Sequence, residues 1–120
     1  MSRTISGAQT VELRRVLADW GEGSSDARAQ EGAGIAAAQG DVTWLHRFFN
    51  TSLWTMPGGD FADVASAQLP VDSLGIYTVA STPELVADAQ DWVKNPETNF
   101  GWILLGNETA NIMTKRFDSR

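Results

Sequence analysis

The sequence predicts a small, mostly β domain with one short helix, on three observations. Residues 100–105 are apolar on both faces, which is typical of a central strand covered on each side. Residues 76–80 are β-branched and aromatic, which favours a second strand. Thr82 is a good N-cap and Pro83 suits the first helical position. Apolar residues follow at helical spacing, so we expect a helix over residues 83–94.

The remaining segments give weaker signals. Residues 10–20 carry an apolar stripe that fits a helix slightly better than a strand, because Arg15 interrupts the period-two pattern. Residues 21–40 have almost no large apolar side chain and predict a long loop. Residues 57–60, Pro-Gly-Gly-Asp, predict a turn, and residues 61–69 a weak strand.

Composition restricts the class of protein. A chain of 120 residues is enough for one small domain. The net charge is -6 and the nine Lys and Arg residues are scattered, which argues against nucleic acid and against an anionic membrane surface. Without cysteine, disulfides and thiolate metal sites are excluded. The first residues show no signal-peptide core, so an export signal is expected elsewhere if the protein works outside the cell.

No catalytic motif is recognisable. His46 is the one histidine, and no nucleophile elbow, zinc-protease motif or phosphate loop accompanies it. A lone histidine among apolar residues is expected to pack or to face solvent. Several carboxylates could pair for glycoside hydrolysis, but the sequence favours no pair. We therefore expect a protein that is not an enzyme.

Two kinds of binding residue remain. Loop carboxylates, Asp41 and Asp60 among them, could hold calcium, although their spacing matches no EF-hand and solvated acids are the simpler interpretation. Trp44 and Trp54 could form a platform on which sugar rings stack. The alternative is that these rings fill the core of a thin sandwich.

Several short runs, in order, resemble the second half of the DNRLRE (disaggregatase-related) domain. They include Trp-Gly-Glu-Gly at 20–23, Pro-Gly-Gly-Asp-Phe at 57–61, Asn-Phe-Gly-Trp-Ile-Leu-Leu at 99–105 and Lys-Arg-Phe-Asp-Ser-Arg at 115–120. The resemblance implies a jelly-roll-like β-sandwich, in which residues 10–17 are a strand. It also implies an extracellular or cell-surface module, and it supplies no catalytic residues.

The resemblance further implies that this chain, 1–120, is an incomplete sandwich lacking strands at both ends. Unpaired strand edges attract other chains, so a homo-oligomer formed by strand pairing or swapping is expected. The leading functional hypothesis is a non-catalytic binding or adhesion module, most plausibly for polysaccharide. A structural spacer or self-assembly module is the alternative, and a glycan-cleaving enzyme is the least favoured.

Overall fold

The structure is a computed structural model that describes residues 7–26 and 34–107, together with residues 109, 115 and 117. Its elements in chain order are β1 (Gln9–Arg15), β2 (His46–Phe48), β3 (Ser52–Leu53), β4 (Ala67–Val71), α1 (Pro83–Lys94), a 3-10 turn (Pro96–Thr98) and β5 (Trp102–Leu105). The prediction of a mostly β domain with one helix is confirmed. The finer jelly-roll architecture stays a prediction.

Strand β1 is the centre of an antiparallel three-stranded sheet with the order β4-β1-β5. Val11 lies opposite Leu69 of β4, and Leu13 lies opposite Leu104 of β5. Since side chains alternate between faces, one face carries Val11, Leu13 and Arg15, and we call it the helix face. The strand that the resemblance implies for residues 10–17 is therefore present as β1, and the helix that the apolar spacing favours is not.

Helix α1 has the bounds that the sequence predicts. The Thr82 hydroxyl accepts the Leu85 N–H at 3.1 Å, as an N-cap should. The same hydroxyl donates to the carbonyl of Ser66, beside β4. The helix ends at Asn95, where Pro96 prevents its continuation. The cap residue therefore both starts the helix and ties its beginning to the sheet.

The hydrophobic core is small. Among the described residues, five apolar side chains are buried: Val11, Val16, Ala67, Val71 and Trp92. Trp92 comes from the helix, and its ring lies edge to face on that of Trp102, with centroids 4.4 Å apart. With so little buried apolar surface, polar contacts between helix and sheet matter more than usual.

A two-stranded hairpin, β2-β3, forms a second unit beside this sheet. Its first strand and the residue that follows it bind both ends of the long loop: the Gly21 N–H donates to the Arg47 carbonyl, and the Gly40 N–H donates to the Phe49 carbonyl. The described parts of the predicted loop, 21–26 and 34–40, contain no strand or helix. Residues 27–33 of that prediction lie outside the described residues.

Three strand predictions need correction. Residues 76–80 form no strand, and Ile76 is almost fully exposed. The Tyr77 hydroxyl instead accepts the N–H of Ser73 and donates to its carbonyl, so the side chain of this segment folds back on the residues that follow β4. The weak strand predicted over 61–69 begins at Ala67 and ends at Val71.

The strand predicted over 100–105 exists as β5, but it was expected to be central. In the described part of the chain it is an edge strand that pairs with β1 alone. No helix among the described residues is long and apolar enough to cross a membrane.

Candidate functional site

A groove of about 280 Å³ is lined by three tryptophans, Trp20, Trp54 and Trp102. We call it the tryptophan groove. The other lining residues are Val16, Val42, Gly59, Asp60, Phe61, Ile103 and Leu104. The lining thus joins the end of β1, the strand β5, the Val42 segment and the loop after β3.

Hydrogen bonds orient the three indole rings. The Trp20 Nε1–H donates to the Phe100 carbonyl at 2.8 Å, and the Trp54 Nε1–H donates to the Thr43 carbonyl at 3.0 Å. The Trp102 Nε1–H donates to Asp88 Oδ2 at 2.9 Å. Because every N–H has a protein acceptor, the rings offer a ligand their apolar faces rather than their polar atoms.

Trp102 is positioned through helix α1. Asp88 Oδ2 accepts both the Trp102 indole N–H and the hydroxyl of the buried Ser66, the latter at 2.6 Å. Trp92 lies against the Trp102 ring. One carboxylate on the helix therefore joins the segment before β4 to a ring of the groove.

Arg15 of β1 forms a second set of contacts between the sheet and helix α1. Its guanidinium donates to Asp91 Oδ2 at 2.6 Å and to the Thr98 hydroxyl at 3.0 Å, and it lies 5.4 Å from the Trp92 ring. This hydrogen bond from Arg15 is the main reason that the pKa of Asp91 lies below its ordinary value. The contact secures the helix end that carries Trp92.

Among the described residues, Asp60 is the one charged side chain in the groove lining. Its Oδ2 accepts the Thr55 N–H at 3.0 Å, and its Oδ1 accepts the Met56 N–H at 3.1 Å. Partial burial acts to raise the pKa of Asp60, but these backbone donors lower it below its ordinary value. Asp60 is thus anionic at neutral pH, and it closes the predicted turn, where the Gly59 N–H donates to the Met56 carbonyl.

The two predicted platform residues, Trp44 and Trp54, lie in different places: only Trp54 lines the groove. Trp54 is half-buried and lines the groove. Trp44 lies outside the lining, with 60% of its surface exposed. The Gly58 N–H donates to the Trp44 carbonyl at 2.7 Å, and a Cβ on Gly58 would come within 2.9 Å of the ring. Gly58 therefore lets the Trp44 ring lie flat against the turn.

Asp41, a predicted calcium ligand, is buried and closes the base of the long loop. Its carboxylate accepts the N–H groups of Ser24 at 3.0 Å and Ala38 at 2.6 Å, and also the hydroxyl of Ser25. The Ser25 hydroxyl, followed by the Ala38 N–H, lowers the pKa of Asp41. The donors come from both ends of the loop, so Asp41 performs a structural role here.

The described residues contain no group of three or more histidine and carboxylate side chains that could hold a metal ion. His46 is half-buried. Its Nδ1 lies 3.1 Å from the Thr43 hydroxyl, and its ring meets Phe49 edge to face at 5.2 Å between centroids. These contacts agree with the packing role predicted from the sequence.

Sequence reasoning missed Trp20 and Trp102 as groove residues. Trp20 was identified only as part of a motif, and Trp102 as part of an apolar strand. The available signal was the count of five tryptophans in so short a chain. Of these five rings only Trp92 is buried, so the core-filling interpretation applies to one of them.

No family model, curated protein or solved structure matches this chain. The resemblance to the DNRLRE domain therefore stays a prediction that rests on the short runs quoted above.

Proposed function

We propose that the protein is a non-catalytic extracellular module that binds polysaccharide in the tryptophan groove. The observation that carries the proposal is the set of three indole rings, Trp20, Trp54 and Trp102, whose N–H groups are all bonded within the protein. The flat, apolar faces of pyranose rings stack on such surfaces. Fixed rings lose little conformational entropy when a ligand binds.

The charges of the groove agree with binding rather than hydrolysis. Glycoside hydrolysis uses two carboxyl groups on either side of the scissile bond. In the described part of the chain one carboxylate, Asp60, lines the groove, and both of its oxygens accept backbone N–H groups. Asp60 is thereby held as a charged, structural group rather than as a proton donor.

The test is a panel of soluble polysaccharides (cellulose derivatives, xylan, mannan, laminarin and polygalacturonate) in affinity gels, followed by fluorescence titration. Binding should retard migration and change tryptophan emission. Trp20→Ala and Trp54→Ala should each weaken binding by about tenfold, since one stacked ring contributes roughly 1–1.5 kcal/mol. Circular dichroism verifies that each variant is folded.

Trp44→Ala is the matched control, because Trp44 is exposed and lies outside the groove lining. It should leave the affinity for a short oligosaccharide within about twofold. A contact of Trp44 with longer chains stays a prediction. If no polysaccharide changes either migration or fluorescence, the proposed function is wrong.

A structural or self-assembly module is the second candidate, favoured by the two sheet edges that β4 and β5 leave in the described part of the chain. It predicts association that grows with protein concentration in sedimentation velocity, and no response to sugars. A monomer at every concentration would exclude assembly through these edges.

A further inference from the structure

The outer edge of β5 forms part of the tryptophan groove. The Val16 N–H donates to the Gly101 carbonyl at 2.9 Å, so Gly101 directs its backbone carbonyl toward β1. Backbone groups of successive strand residues point to alternate sides. Trp102 and Leu104 therefore direct their N–H and C=O groups away from β1. Both residues line the groove. Ile103 between them also lines it, although its side chain lies on the opposite face of the sheet.

Trp20 closes one end of this edge. By the same alternation the Phe100 carbonyl faces away from β1, and the Trp20 indole N–H already occupies it at 2.8 Å. Two outward residues, Trp102 and Leu104, are left along the strand. Strand addition by a peptide depends on a longer ladder of backbone bonds, so this edge is too short to hold one firmly.

The side chains of the groove provide stacking surfaces but few polar partners. Asp60 is the one charged side chain that the described residues contribute to the lining, and its oxygens accept the N–H groups of Thr55 and Met56. Sugar hydroxyls need hydrogen-bond partners when they leave water. The outward backbone groups of β5 are the polar groups that remain beside the rings.

We propose that the groove binds an uncharged, unbranched glycan along β5, with the N–H and C=O groups of Trp102 and Leu104 bonding its hydroxyls. This inference rests on the proposed function. A linear chain suits a groove that follows a strand. An acidic glycan is disfavoured because the chain carries a net charge of -6, Asp60 lies in the groove and no described Lys or Arg lines it.

The backbone contact is tested by comparing Leu104→Pro with Leu104→Ala. Both replace the branched leucine side chain by a smaller one, but only proline removes the outward N–H. Proline is tolerated at outward positions of edge strands, and this chain already has Pro70 at such a position in β4. Leu104→Pro should bind about fivefold more weakly than Leu104→Ala, the loss expected for one hydrogen bond.

Gln68→Pro is the control for introducing proline into a sheet edge. Gln68 occupies an outward position of β4, at the opposite edge from the groove. It should leave affinity unchanged. Circular dichroism and thermal unfolding establish that all three variants are folded. Equal affinities for Leu104→Pro and Leu104→Ala would overturn the backbone contact.

The ligand class is tested with neutral cello-, xylo- and mannohexaose, each measured by calorimetry. Cellohexaose with its C6 hydroxyls oxidised to carboxylates is the matched acidic probe. At least one neutral hexasaccharide should bind, and the oxidised probe should bind at least tenfold more weakly than cellohexaose or not at all.

The outcomes separate the two proposals. If the oxidised probe binds best, or if only branched polysaccharides bind, this inference is wrong while the proposed function stands. If no glycan binds and an extended apolar peptide or a second copy of the chain occupies the β5 edge, both are wrong.

Discussion

Replacing Asp88 by alanine should destabilise the fold and loosen the groove at the same time. Asp88 Oδ2 accepts hydrogen bonds from the Ser66 hydroxyl at 2.6 Å and from the Trp102 indole at 2.9 Å. The side chain of Asp88 is 15% exposed and Ser66 is 3% exposed. The hydroxyl therefore cannot turn to water when its acceptor is removed.

The magnitude follows from these two bonds. Leaving the buried Ser66 donor without a partner costs about 1–3 kcal/mol. The Trp102 N–H is partly exposed and loses about 1 kcal/mol. Alanine recovers about 0.5 kcal/mol through its higher helix propensity. The Arg15 contact at 3.8 Å is long and adds little. The free energy of unfolding should fall by about 2–3 kcal/mol.

The assay is urea unfolding followed by circular dichroism, in which this loss lowers the midpoint by roughly 1 M or more. Asp88→Asn should lose only about 1 kcal/mol, because the amide oxygen still accepts both bonds. Gln90→Ala, at an exposed position of the same helix, is the control and should be near neutral. If Asp88→Ala unfolds within about 0.5 kcal/mol of Gln90→Ala, these bonds do not hold the helix to the sheet.

Three further predictions concern the turn, the loop and metal binding. Gly58→Ala should cost about 1–2 kcal/mol, because the φ of +99° suits glycine and the new Cβ would meet the Trp44 ring at 2.9 Å. Gly75→Ala is the control, because a Cβ there would meet open space and the φ of Gly75 is not positive. Its free energy of unfolding, measured by the same urea unfolding, should be nearly unchanged. Asp41 has a folded pKa below its ordinary 3.8, so its contribution to stability is complete above that value and is lost as the pH falls through the folded pKa. The melting temperature should therefore drop below about pH 4, less steeply in Asp41→Asn, and identical slopes would contradict the role of this carboxylate. Calcium should leave the melting temperature unchanged, because N–H and O–H donors occupy Asp41 and N–H donors occupy Asp60; a rise of several degrees would support the calcium site that the sequence suggests.

Local chemistry explains which elements could be predicted. The bounds of helix α1 follow from Thr82, Pro83 and the Asn95-Pro96 pair, which act through neighbouring backbone groups. The turn at 57–60 is local for the same reason. In contrast, residues 76–80 have strand-like composition but pair with none of the described strands, and the Tyr77 hydroxyl bonds to Ser73. Composition does not determine pairing.

The candidate site could be predicted only in part. The sequence indicates that its tryptophans matter, and of the two platform residues that it predicts, Trp44 and Trp54, the second lines the groove. It could not assemble Trp20, Trp54 and Trp102, which are distant in the chain and meet only through the register of β1 with β5 and the docking of the hairpin. It also could not distinguish Asp41, which closes a loop, from a carboxylate that is free to bind a ligand.

The sequence by itself thus determined the mostly β class with its one helix, the helix bounds, the turn and the absence of clustered positive charge. These properties depend on residue type and on contacts a few residues apart. The tertiary structure alone decided that β5 pairs with β1 alone among the described strands, that Trp92 is buried while the other tryptophans are not, and that three rings share one groove. These outcomes depend on which distant segments pair, and long-range pairing leaves no local signature in the chain.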